Sequence, residues 1–312
     1  MSTKSTLDLL IVGGSGFLSG TLAQVALGQG HRVWTVTRGQ RPAPDGVTAL
    51  VADRHDQAAF AQAVSGAETK WDMVIDCIGF TPADAQQDLA VFRDLTPQLV
   101  FVSTDFVYDP ARRQFPQGEE TDHYLPPDGG PGSLSYGGQK RAAELELING
   151  DSGQMAWSIV RPCHIYGPGS RLGCLPLHGR DPDLLARLKR GETLKLVGGG
   201  HFLQQPILAA DLAELMLNLH GNEQTYGQVF CTTGPDTIES RDFYRLIADI
   251  LEVGLEIEEV SVAQHLAENP AAAPFMCHRI YSMDKLRACG VSTPNTPLET
   301  GLREHVASLL ES

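Results

Sequence analysis

The chain has no apolar run approaching the roughly 18 residues that a membrane-spanning helix needs, which excludes an integral helical membrane protein. It also has no C-x-x-C pair. Its cysteines, Cys77, Cys163, Cys174, Cys231, Cys277 and Cys289, are scattered without metal-ligand or disulfide-framework spacing, so free thiols in a reducing compartment and no metal are expected. Basic residues are scarce: 24 Lys and Arg stand against 38 Asp and Glu, a net charge of −14 that repels polyphosphate backbones. Nucleic acid and membrane are therefore not expected as partners, and a cytoplasmic, unprocessed chain is. No internal repeat recurs at a fixed period.

The 312 residues, 42% hydrophobic and 20% charged with 32 Gly and 19 Pro, suit a loop-rich enzyme and are long enough to bury a core without staples. Short apolar runs at Leu7–Val12, Val33–Thr37, Thr48–Val51, Met73–Cys77, Leu99–Ser103 and Trp157–Arg161 alternate with helical spacing such as Leu18, Leu22 and Val25. This β-α-β order predicts an α/β fold with a doubly wound parallel sheet and a ligand at the carboxyl ends of its strands. The Pro/Gly-rich stretch Tyr124–Gly132 reads as a surface loop, either plain or facing substrate. Beyond Gly167 the pattern loosens, with helices at Asp181–Arg190, Ala209–Leu219 and Ser240–Leu251. We expect a dinucleotide-binding domain over residues 1–165 and a capping region over 166–312, with part of 200–235 returning to the sheet.

Gly13-Gly14-Ser15-Gly16-Phe17-Leu18 follows an apolar strand and opens a helix, the context in which glycines let a backbone approach a pyrophosphate. Ser19 stands at the third glycine position, and its small size is compatible with helix–strand packing. The second strand ends Thr37-Arg38-Gly39-Gln40-Arg41, without the carboxylate that accepts ribose hydroxyls in NAD sites. A guanidinium there suits a 2′-phosphate, so NADP(H) is favoured and NAD(H) remains possible. Tyr136 and Lys140 are spaced i, i+4, on one helix face, where an ammonium can lower a phenol toward neutrality for acid/base work. Ser103-Thr104-Asp105 closes an apolar strand, and Thr104 could share the substrate oxygen that Tyr136 protonates.

With Ala52-Asp53-Arg54, Arg161-Pro162-Cys163-His164-Ile165-Tyr166-Gly167-Pro168, Ala210-Asp211-Leu212-Ala213 and Tyr281-Ser282-Met283-Asp284-Lys285, this ordered series resembles the extended short-chain dehydrogenase/reductase superfamily of NAD-dependent epimerase/dehydratase type. The resemblance covers nearly the whole chain. It implies a Rossmann-type domain, catalytic Thr104, Tyr136 and Lys140, and an adenine-contacting pair Asp53 and Arg54, with Cys77 and Pro162 beside the cofactor. It places Asp105, His164 and Gln205 on the substrate side, and a homodimer formed through the tyrosine-bearing helix. Phe106 stands where 4,6-dehydratases of the superfamily carry an acid, which disfavours dehydration. Phe202–Pro206 lacks the phosphate-holding Arg of nucleotide-sugar epimerases. Thr37-Arg38-Gly39 and Gly198-Gly199-Gly200 look like an atypical branch that includes plastid stem-loop RNA-binding proteins. The expected activity is an NAD(P)-dependent reductase of a sugar or nucleotide-sugar ketone. The alternatives are an epimerase that keeps its NAD(P), and a non-catalytic dinucleotide- or RNA-binding protein.

Overall fold

A computed structural model describes residues 6–127 and 135–311, so the part of the Pro/Gly loop from residue 128 to Gly132 and residues 1–5 lie outside the described residues. Seven strands form one parallel sheet: β1 (Asp8–Val12), β2 (Arg32–Thr37), β3 (Thr48–Val51), β4 (Met73–Asp76), β5 (Gln98–Val102), β6 (Ala156–Pro162) and a last strand, Gln228–Thr232. Their spatial order is β3-β2-β1-β4-β5-β6 followed by Gln228–Thr232, which pairs with β6 in parallel through Phe230 opposite Val160. Between β1 and β4 the order reverses, and at that point the crossovers leave on opposite faces and open a crevice at the strand ends.

The run Leu9-Leu10-Ile11-Val12 is apolar at every position because both sheet faces are covered. Leu9 and Ile11 pack with Leu22 and Ala26 of α1 (Phe17–Gly28) and with Leu212 and Met216 of the helix Ala209–Leu217. Leu10 and Val12 face the other way, onto Phe60 of α2 (Gln57–Ser65), Leu89 and Phe92 of α3 (Pro82–Phe92) and Leu147 of α4 (Tyr136–Asn149). A third core joins Leu184, Leu196, Phe243, Ile247, Leu302 and Val306 in the region past Tyr166. That region also carries three two-stranded pairings, among them Ile257–Val260 beside Leu194–Val197. The carboxyl ends of β1, β4, β5 and β6 face this smaller layer, and the site lies between them.

Candidate active site

Gly13 and Gly14 take φ of 109° and 126°, and Gly13 donates to the Val36 carbonyl at 3.0 Å, turning the chain tightly off β1. A Cβ on Gly14 would sit 2.3 Å from Cγ2 of Thr35, so this turn tolerates no side chain. Gly16 is the N-cap of α1, whose first turn carries no acidic side chain. The positive end of the helix dipole and its free N–H groups are therefore uncompensated, as a bound phosphate requires. Ser19 is buried and accepts from the Gly16 N–H at 3.2 Å, which gives a physical role to the residue replacing the third glycine.

Beside this turn lies a cavity of about 350 Å³ lined by Ser15, Thr37, Arg38, Arg41, Asp53 and Arg54, among others. Arg38 is exposed and has no hydrogen-bond or ion-pair partner among the described residues. Arg41 reaches across to donate to the Ser15 carbonyl at 3.1 Å, placing a second guanidinium over the glycine turn. Asp53 accepts from the His55 N–H at 3.0 Å.

Arg54 has a different environment from the one its motif suggests. It is 7% exposed and its guanidinium is consumed by Asp76 at 2.8 Å, Asp84 at 3.1 Å and Asp88 at 3.1 Å. It lines the cavity and is also the counter-ion of three carboxylates. One cation cannot neutralise three acids: Arg54 holds the Asp76 carboxyl below its ordinary value, while burial and the Asp76 charge push Asp88 well above it.

A larger cavity of about 530 Å³ shares Gly16, Ser19, Ile78 and Phe80 with the first and continues past Thr104, Tyr136 and His164. Tyr136 and Lys140 reach it because α4 lies against the end of β5: a Cβ on Gly137 would fall 2.0 Å from the Phe106 carbonyl oxygen. Ser135 caps the helix by accepting from the Gly138 N–H at 3.2 Å. The helix is anchored by Glu144, which receives Arg161 through Nε and Nη2 at 2.8 and 2.7 Å and the Ser103 hydroxyl at 2.6 Å, all buried. The Tyr136 ring is half exposed, and Thr104 lines the same cavity.

Lys140 is buried, with Nζ donating to the carbonyls of Gly79 and Val102 at 2.5 and 2.6 Å and lying 4.8 Å over the Phe80 ring. Burial pushes its pKa down to about 8. The Tyr136 phenol is held above its ordinary value by desolvation, with Asp105 adding to the rise and the Thr104 hydrogen bond and Arg180 opposing it. In this state, then, the cation acting on the phenol is Arg180, and the ammonium is spent on two carbonyls. The Cys77 thiol, in the same wall, is pushed up by burial and by Asp76.

Of the residues expected to face substrate, His164 lines the cavity as a neutral imidazole, its pKa lowered to about 3 by burial and by Arg279 and Arg180. Pro162 lines it as well. Asp105 does too, but its carboxylate is enclosed: Arg279 grips it at 2.7 and 2.8 Å and the Tyr281 hydroxyl donates to it. The structure does not bring Gln205 to this cavity. Its Oε1 accepts from the Tyr281 N–H at 2.7 Å, and the residue lines a separate cavity with Pro116 and Thr233, because Leu203–Gln204 pairs with Ile238–Glu239 and directs the following residue away. Among the described residues no group of His, Cys, Asp and Glu is arranged to hold a metal ion.

Residues 9–230 match the family model described as NAD dependent epimerase/dehydratase family. The chain belongs to that family. Its fold superposes with a TM-score of 0.78 on the dTDP-glucose 4,6-dehydratase of Bacillus anthracis in complex with NAD, at 15% identity over 98% of this chain and 97% of that one. It superposes with a TM-score of 0.75 on the UDP-glucose 4-epimerase of Thermotoga maritima with UDP-glucose, at 16% identity over 98% and 99%. A curated relative, the chloroplast stem-loop binding protein of 41 kDa b from Arabidopsis thaliana, is 26% identical over 249 residues. The match spans 75% of this chain and 60% of that protein's length.

Members of this epimerase/dehydratase family bind NAD(P), and the glycine turn, the acid-free helix start and the two joined cavities fit such a group. Sequence reasoning missed Arg41, Arg180, Arg113 and Arg279 as parts of the site. Arg41 was in view beside Arg38; the other three come from loops whose approach is set by tertiary packing alone.

Proposed function

We propose that this chain is an NADP(H)-favouring oxidoreductase acting at a carbinol or ketone carbon of a sugar or nucleotide sugar, in the direction of keto-sugar reduction. The observation that carries it is Tyr136, Thr104 and Lys140 lining one cavity that continues from the glycine turn. The nicotinamide, when bound, supplies or accepts the hydride. Tyr136 gives a proton to the substrate oxygen or takes it back, and Thr104 orients that oxygen. Lys140, released from its carbonyls, holds the nicotinamide ribose and brings positive charge beside the phenol. Gly13, Gly14, Ser15, Gly16, Phe17 and Leu18 seat the pyrophosphate, with Cys77 and Pro162 flanking the nicotinamide end. Thr37, Arg38 and Asp53 face the adenosine end, and Arg38 reads the 2′-phosphate. On the substrate side His164 offers an uncharged hydrogen-bonding ring. A homodimer through α4 and a cytoplasmic location, consistent with six free thiols, complete the reading.

Epimerisation uses the same residues and differs in retaining the cofactor between turnovers. RNA binding is the reading favoured by the name of the curated relative; the net charge of −14 and a cavity of small-molecule size support the enzymatic one. The test is absorbance and mass spectrometry of the purified protein for retained dinucleotide, then titration with NADPH and NADH and a screen of keto sugars. Reversible, preferential NADPH binding with NADPH oxidation that Tyr136→Phe abolishes is expected, the variant keeping its NADPH affinity within a few fold. Retained oxidised cofactor would favour the epimerase, binding of neither dinucleotide would remove the enzymatic reading, and undiminished turnover in Tyr136→Phe would refute the role of the phenol.

A further inference from the structure

Behind Asp105 the wall of the larger cavity holds an uneven set of charges. Arg279, 2% exposed, donates to Asp105 through Nε and Nη2, and its guanidinium carbon lies 4.7 Å over the Phe106 ring. Its third nitrogen, Nη1, is buried without a hydrogen-bond partner. Arg113 reaches the same carboxylate at 3.8 Å with a buried side chain and donates to the Asp105 carbonyl at 3.2 Å. Two buried guanidiniums thus face one carboxylate. The remaining near neighbours, the Tyr281 phenol and the Cys163 and Cys277 thiols, are all held above their ordinary values by burial and stay neutral. One positive charge is left without a counter-ion.

At the rim of the same cavity stands Arg180, exposed, at a left-handed φ of 61° and without a hydrogen-bond or ion-pair partner among the described residues. A chain of net charge −14 has therefore placed three arginines against one acid around the space beside Tyr136. An uncompensated buried guanidinium is costly, and an anionic oxygen pair brought against it relieves that cost while forming charge-assisted hydrogen bonds. We propose that Arg279 is a specificity-determining residue that selects a substrate carrying an anionic oxygen group, carboxylate or phosphate, close to the carbon that reacts, with Arg180 closing on the same group from the rim. This deepens the function proposed above and rests on it. The neutral His164 completes the wall without competing for the anion.

The experiment titrates the NADP⁺-loaded protein with D-glucose, D-glucuronate and D-glucose 6-phosphate at constant ionic strength, read by saturation-transfer NMR. At least one of the two anionic sugars is expected to bind roughly tenfold or more tightly than glucose, the worth of one or two charged hydrogen bonds. Preference for glucuronate identifies the group as carboxylate, and preference for the 6-phosphate identifies it as phosphate. In Arg279→Gln the preference is expected to vanish. Should that variant fail to fold, Arg279→Lys, which keeps a charge against Asp105 but has no Nη1, carries the same expectation. Arg180→Gln, altering an exposed side chain, is expected to reduce the preference several-fold. Equal binding of all three sugars, or a preference that survives at Arg279, overturns the inference. Absence of NADP⁺ binding at the loading step is the separate failure of the oxidoreductase reading.

Discussion

The Arg54 cluster allows a test in which a structural and a ligand-binding role give opposite results. Replacing Arg54 by Met keeps the length of the side chain and removes the guanidinium paired with Asp76, Asp84 and Asp88, of which Asp76 and Asp88 are fully buried. Removing one partner from a buried ion pair costs about 3–5 kcal/mol, because the other is left as an uncompensated buried charge. Asp88 already holds its proton more tightly than a free carboxyl, so the charge left uncompensated by the substitution falls on Asp76, and the full range applies. For a chain of this size that corresponds to a fall in melting temperature of roughly 5–8 °C.

The pH dependence has a definite sign. In the wild type the Asp76 pKa is depressed, so its stabilisation is present above the unfolded value near 4 and lost as pH falls through the folded one. In Arg54→Met the same carboxyl is raised by burial, and the variant should regain stability as pH drops from 7 toward 5. Urea denaturation of both proteins at pH 5, 6 and 7 measures this, and the gap between them should narrow with acidity. A loss below about 1 kcal/mol, or a gap that does not change with pH, would refute the keystone role. A stable variant with weakened dinucleotide binding would instead return Arg54 to the adenine contact that its motif suggested.

Four further substitutions test other joints. Arg38→Ala should weaken NADPH binding much more than NADH binding, measured by fluorescence titration, and Arg41→Ala should weaken both by loosening the glycine turn at Ser15; equal losses in Arg38→Ala would mean that it does not read the 2′-phosphate. Gly14→Ala puts a Cβ 2.3 Å from Thr35 Cγ2 at a φ of 126°, and should cost about 2 kcal/mol or more in urea denaturation together with most of the dinucleotide affinity. Glu144→Gln leaves Arg161 buried without its carboxylate and should destabilise by about 3 kcal/mol while lowering turnover more than cofactor affinity, since Glu144 anchors the helix that carries Tyr136.

The sheet was legible because its strands are buried on both faces and so appear as unbroken apolar runs: Leu9–Val12, Met73–Ile75 and Leu99–Val102 need no partner to be recognised. The capping layer was harder. Leu184–Lys189 and Ser240–Ile250 show their helical period, but pairings such as Leu194–Val197 with Ile257–Val260 join segments more than fifty residues apart and leave no local trace. Gln205 illustrates the consequence: the family resemblance puts it on the substrate side, and the two-residue pairing at Leu203–Gln204 turns it toward Tyr281 instead.

In the site, spacing located Tyr136 and Lys140 correctly on one helix but could not say what the ammonium does. Its Nζ donates to the Gly79 and Val102 carbonyls, and burial brings its pKa down to about 8. What stands beside the phenol is Arg180, from a segment with no motif, and Asp105, whose effect on Tyr136 is opposed by that cation. The electrostatics of the proton transfer are therefore divided between two layers of the fold. The Rossmann layer supplies Tyr136, Thr104 and Lys140, and the capping layer supplies Arg180, whose charge opposes that of Asp105 on the phenol. An anion that engages Arg180 would offset that cation and raise the Tyr136 pKa further, keeping the phenol protonated but making it a weaker acid.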